Sequence, residues 1–235
     1  MTKRRRNSAR RLRPQILIFD VDGVLVDVHG SFHRTIIDTI RYFTGRRVTY
    51  TQIHEWKNRP GYNDDWKLTT DWILALGGKV TYEEVFERYK RIFWGESGEG
   101  NVRRERWLVS PKEVAHWASR YELAIFTGRS RQELSHTFDA WPGREHFRRI
   151  VTAEDVKRGK PDPEGLLQVL AERDPGIALY LGDNIDDAAA ARAAGVPFVG
   201  VLATGSLAHR KRAAGLRKLG ALAILHHVRE LERWL

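Results

Sequence analysis

The sequence has no cysteine and only one methionine, which excludes a disulfide framework, thiolate metal sites and any cysteine nucleophile. It has no apolar run close to the roughly 20 residues that a membrane-spanning helix requires, so no membrane partner is expected. The basic N-terminus has no apolar segment behind it, which is not the pattern of a secretory signal. These absences predict a soluble, cytoplasmic protein. No internal repeat is visible.

Basic charge is plentiful, but it is local. The net charge is +10, yet seven of the 40 basic residues precede Pro14, and the remaining 33 stand against 30 acidic ones. Residues 1–13 therefore read as a basic, disordered tail. A polyanion-binding arm is the competing reading, but the tail carries none of the interleaved aromatics that stacking on single strands requires, so nucleic acid is not the expected partner. With 235 residues, 42% of them hydrophobic, the remainder is long enough for a well-buried core carrying a smaller unit.

Three short apolar runs read as strands buried on both faces: ILIF before Asp20, LAIFT ending at Thr127, and IALYLG before Asp183. Helical patterns lie between them. One begins at Pro111 after Ser110 as cap; another, alanine-rich, runs from Asp186 to Gly195. The alternation predicts an α/β fold, a Rossmann-like parallel sheet with helices on both faces. Ligands in such folds bind beyond the carboxyl ends of the strands, where Asp20, Thr127 and Asp183 fall. Residues 30–106 differ, holding no convincing strand and three amphipathic patterns, around Ile36 and Ile40, around Leu68 and Trp72, and around Val85 and Tyr89. They read as an inserted helical unit, with 14–29 and 107–235 forming the core.

Four motifs carry chemistry. In DVDG, Asp20 and Asp22 sit two apart, which in extended chain points both carboxylates the same way, and Gly23 permits a tight turn. Alone, such an aspartate often only caps a turn. Thr127, Gly128 and Arg129 supply a hydroxyl, an approachable amide and a guanidinium, the groups wanted around a phosphoryl oxygen, although any tight turn has this composition. Lys160, in GKPDPEGL, stands ahead of a helix, where it reads as a phosphate counter-charge or as an ordinary surface lysine. Asp183 and Asp187, in GDNIDD, are one helical turn apart, as oxygen ligands for Mg²⁺ or as helix-capping acids.

In this order the four motifs resemble those of the haloacid dehalogenase superfamily, over residues 16 to about 201. The insertion after the first motif looks like the helical cap of its phosphoglycolate-phosphatase-like and β-phosphoglucomutase-like members. The resemblance implies a phosphohydrolase acting on a small phosphate ester, with Asp20 as nucleophile and Asp22 as acid and base. It implies Thr127, Gly128 and Lys160 on the phosphoryl oxygens, and Mg²⁺ on Asp20, the Asp22 carbonyl and Asp183, with Asp187 as a further ligand or support. Cap residues of that family contact substrate, which makes Arg34, Asn63, Asp65 and Lys67 candidates, alongside Arg129. A phosphomutase shares these motifs, and a polyanion-binding protein using its tail is the alternative of another class. Asp22 argues against dehalogenation, because the superfamily's dehalogenases lack an acid two positions after the nucleophile. Since the motifs begin at Asp20, deleting residues 1–13 is expected to leave kcat on a small phosphate ester unchanged; a large fall in kcat at an unchanged Tm would place the tail in the active site.

Overall fold

The computed structural model describes residues 13–62, 64–202 and 207–235; the tail reading of residues 1–12 lies outside them, as does Asn63. The described strands are β1 (Ile16–Phe19), β2 (Val26–Asp27), β3 (Arg106–Trp107), β4 (Glu122–Phe126), β5 (Phe147–Val151), β6 (Ala178–Gly182), β7 (Phe198–Val201) and β8 (Ala223–Leu225). Six of them form one sheet in the order β5-β4-β1-β6-β7-β8, all neighbours parallel. β1 is central and every residue of it is buried, which is why it reads as an unbroken apolar run. Period-two alternation sends Leu17 and Phe19 into one core and Ile16 and Ile18 into the other. Strand order reverses at β1, with β4 on one side and β6 on the other, so a crevice opens at their carboxyl ends.

The described helices are α1 (Arg34–Thr44), α2 (Tyr50–Lys57), α3 (Asp65–Ala75), α4 (Tyr82–Trp94), α5 (Pro111–Ala118), α6 (Arg131–Phe138), α7 (Glu164–Leu170), α8 (Ile185–Ala194), α9 (Leu207–Lys218) and α10 (Leu231–Trp234). None is long and apolar enough to cross a membrane among the described residues. A π-helical turn, His29–His33, leads into α1. α5 carries the expected Ser110 cap, reciprocated by Glu113. α8 stops at Gly195, whose φ of 71° is the left-handed conformation a helix end favours. α1, α3 and α4, the three helices read from periodicity, pack on one another between β2 and β3.

Two features of this stretch are absent from the sequence reading. α2 buries only Ile53 and His54, too little for an apolar stripe, and its start is marked instead by a Thr49–Gln52 capping box. β2 pairs antiparallel with β3, setting Asp27 opposite Arg106, in a ribbon two residues long and too short to show a period.

α7 packs on β4 through Gly165. A Cβ there would lie 2.1 Å from the Phe126 ring, inside a buried contact. Gly165→Ala is expected to cost about 1–3 kcal/mol by overpacking, a fall in Tm of several degrees. Thermal denaturation followed by circular dichroism checks it; an unchanged Tm would mean that α7 does not seat on β4 this closely.

Candidate active site

The carboxyl ends of β1, β4 and β6 border a cavity of about 320 Å³, lined among others by Asp20, Asp22, Thr127, Gly128, Lys160 and Asp183. Asp20 follows β1 directly, and its amide donates to the Leu181 carbonyl of β6 at 2.8 Å, which extends the sheet to the nucleophile candidate itself. Lys160 reaches the same point from the loop before α7. Its ammonium lies 2.9 Å from Asp20 Oδ1 and 2.7 Å from Asp187 Oδ1, with its side chain 1% exposed. Burial alone would lower this ammonium, but Asp187 and Asp20 outweigh it and hold it above its ordinary value. Burial in turn lifts the Asp20 carboxyl well above the carboxylate range, with Lys160 opposing.

Asp187 is fully engaged. Its Oδ1 also accepts from the Tyr180 hydroxyl at 2.7 Å, and its Oδ2 from the amides of Asp183 and Asn184 at 3.1 and 3.0 Å. It therefore anchors Lys160 and fixes the turn that presents Asp183. Asp183 faces the cavity with 26% of its side chain exposed, and burial pushes its carboxyl up to about 6, Arg212 opposing from 3.5 Å. Gly23 permits the approach of the DVDG turn: its φ is +74°, and a Cβ would fall 2.7 Å from Asp183 Oδ2. Thr127 is buried at the end of β4, where its hydroxyl accepts the Arg129 amide at 3.2 Å.

Arg129 departs from the expected substrate contact. Its Nε and Nη2 donate to Asp22 Oδ1 at 2.8 and 2.6 Å, Nη1 and Nη2 to Glu105 at 3.1 and 2.9 Å, and Nη1 also to Thr137 Oγ1 at 2.8 Å. All five guanidinium donors are used, none is left for a ligand, and the side chain is 0% exposed. Its role is to hold Asp22. Glu105, next to β3, shares this network and also accepts from the Thr137 hydroxyl.

The far wall differs from the sequence reading in its residues. Arg34 forms an i,i+4 pair with Asp38 and borders a separate surface groove with Arg41 and Tyr50. Lys67 pairs with Asp71 at 2.5 Å, half exposed, and is absent from the cavity lining. Both are better explained as solvated helix faces. Asp65 does line the cavity, paired at 2.7 Å with Lys57 of α2, beside Phe32, His33 and Trp66. Lys57 and Glu105 carry no local sequence signal, because long-range packing alone brings them to the site.

A family model for haloacid dehalogenase-like hydrolases matches residues 14–195. The chain belongs to this family and is an enzyme of the hydrolase class. It is 31% identical over 199 residues to an imidazoleglycerol-phosphate dehydratase of Phytophthora nicotianae, which covers 80% of this chain but 43% of that protein, so the chain spans less than half its length. It is 27% identical over 193 residues to phosphoglycolate phosphatase 1 of Pseudomonas aeruginosa, covering 78% of this chain and 67% of that one. The fold is similar to that of CbbY from Rhodobacter sphaeroides, solved in complex with phosphate, at a TM-score of 0.67 and 20% identity over 93% of this chain and 96% of that one.

Arg129→Lys retains the charge but cannot fill five bonds from one ammonium. It is expected to lower kcat on an aryl phosphate about tenfold or more with little change in KM, since it disorders Asp22 rather than a binding contact. Steady-state kinetics check this. A wild-type kcat would remove Arg129 from any part in setting Asp22.

Proposed function

We propose that the protein is a magnesium-dependent phosphohydrolase that cleaves a small-molecule phosphate monoester through a phosphoaspartate formed on Asp20. The observation that carries this reading is the Asp20 carboxylate at the end of the central strand, 2.9 Å from the buried Lys160 ammonium and in one cavity with Asp22, Thr127 and Asp183. An Asp20 oxygen attacks phosphorus as the bond from phosphorus to the ester oxygen breaks, and Asp22 gives the leaving oxygen its proton. Asp22 then takes a proton from the water that splits the acyl phosphate and restores Asp20. Both Arg129 bonds to Asp22 fall on Oδ1, which leaves Oδ2 to exchange these protons. The Thr127 hydroxyl, the Gly128 amide and the Lys160 ammonium hold the phosphoryl oxygens.

Asp20, Asp183 and Asp187 each offer an oxygen within 4.8 Å of the others, a hard-ligand set that fits Mg²⁺. Asp20, Asp183 and the Asp22 carbonyl would hold the ion, with Asp187 as support because its oxygens are already bonded. When bound, the ion offsets the repulsion between an anionic nucleophile and an anionic phosphate. Residues 30–106 act as a cap over this site, contributing Lys57, Asp65 and Trp66 to its far wall. A cavity of about 320 Å³ suits small soluble esters rather than phosphoproteins or nucleic-acid ends.

A screen of phosphorylated sugars, short organic acids and amino alcohols with Mg²⁺ is expected to release inorganic phosphate from at least one of them. Asp20→Asn is expected to reduce that release about 10³-fold or more while leaving the fold intact, because the amide is a poor nucleophile of nearly the same shape. An isomeric phosphosugar in place of inorganic phosphate would identify a phosphomutase, and substantial turnover by Asp20→Asn would remove Asp20 as nucleophile.

A further inference from the structure

Beside the carboxylate site, sharing with its cavity only the wall residue His33, lies a cluster of imidazoles. His29 and His33 are one turn apart on the π-helical turn that leads into α1, and His54 meets them from α2. Their ligating nitrogens lie within 4.8 Å of one another. We propose that His29, His33 and His54 form a second metal site, for a borderline divalent transition ion of the zinc type, with a fourth position left to water.

The ring geometry is the first support. Ring centroids are 5.1 Å apart for His29–His33, 5.2 Å for His33–His54 and 5.8 Å for His29–His54. Three imidazoles on one tetrahedral ion, with metal–nitrogen bonds of about 2.0 Å, place their centroids about 5.2 Å apart. The ligating nitrogens, within 4.8 Å of one another, would have to approach to about 3.3 Å to share one tetrahedral ion.

Each ring is also prepared to ligate. Asp27 Oδ1 lies 2.7 Å from His29 Nδ1, which fixes the proton there and turns the Nε2 lone pair outward, the carboxylate–histidine arrangement that supports ligating imidazoles. His33 is 5% exposed, and its Nδ1 has no hydrogen-bond partner among the described residues. His33 and His54 are both buried, which disfavours their charged form. Neutral imidazole is the form that binds metal. Imidazole donors select zinc, cobalt or nickel over magnesium, so the two sites differ in preference.

Two cations oppose occupancy: Lys57 is committed elsewhere, and Arg212 in part, since its Nη2 also donates to the His54 carbonyl at 3.3 Å. Lys57 is paired with Asp65 at 2.7 Å. Arg212 donates to Asn58 Oδ1 at 2.8 Å and lies 3.5 Å from Asp183, while its contact to His54 Nδ1 is longer than most hydrogen bonds, at 3.3 Å. That contact is the one a bound ion displaces.

The test is equilibrium dialysis of the metal-stripped full chain against Zn²⁺, with excess Mg²⁺ present to occupy the carboxylates. One Zn²⁺ per chain is expected, and Co²⁺ in its place is expected to give the visible absorption of a tetrahedral nitrogen site. His29→Ala, at a half-exposed position that does not threaten folding, and His54→Ala are each expected to weaken Zn²⁺ binding about tenfold or more. Asp183→Asn is expected to leave it unchanged. Failure to bind Zn²⁺, equal affinity in His29→Ala and wild type, or loss of the ion in Asp183→Asn alone would each overturn the proposal.

Discussion

The Lys160 ammonium lies between two carboxylates that would otherwise be buried together with nothing to balance them. Asp20 comes from the end of β1, Asp187 from the first turn of α8 and Lys160 from the loop before α7, so one charge ties three segments of the core at the crevice. Desolvating such a triad is expensive, and apolar replacements of similar shape are often no less stable. Removing one member is different, because it strands a buried charge at a cost of about 3–5 kcal/mol. Phe126 and Tyr180 surround the ammonium with their rings, at 4.9 and 5.5 Å, which excludes water and strengthens both ion pairs. The arrangement is therefore better explained by what it presents, an oriented Asp20, than by stability.

Arg129 repeats the device on Asp22. A planar fork with five donors fixes a carboxylate's direction as well as its position, which an ammonium cannot do. The network depends on the β2–β3 ribbon, because that pairing brings Glu105, next to the start of β3, to within 2.9 Å of Arg129. The short ribbon thus links residues 30–106 to the carboxylate that the proposed chemistry uses as acid and base.

The parts of this architecture legible in the sequence are those set by short-range physics. β1, β4 and β6 are legible because strands buried on both faces must be apolar throughout, and α1, α3 and α4 because one face of each is covered. Asp20, Asp22, Thr127, Lys160 and Asp183 stand at strand ends or in motifs, and the structure brings them to one cavity. What was not legible depends on which side chain meets which across the fold. Lys67 and Arg34 look like cap contacts in sequence, but each has an acid four residues on and pairs with it locally. Lys57 has no such neighbour at that spacing on its own helix, so its charge is free to meet Asp65 at the cavity wall. Arg129 was legible as a guanidinium near the phosphate position, but only the distant Glu105 decides that it serves Asp22.

Lys160 balances Asp20 and Asp187, Arg129 balances Asp22 and Glu105, Arg212 approaches Asp183, and Lys57 holds Asp65, so within these ion pairs six carboxylates face four cations. The excess is two negative charges if all are ionised. Burial is what chiefly lifts the Asp20 and Asp183 carboxyls, and the neighbouring carboxylates add to it. Protons could relieve the excess, but a protonated Asp20 is no nucleophile. A divalent cation would relieve it while keeping Asp20 ionised. The charges of these groups are thus compatible with the Mg²⁺ proposed for Asp20 and Asp183.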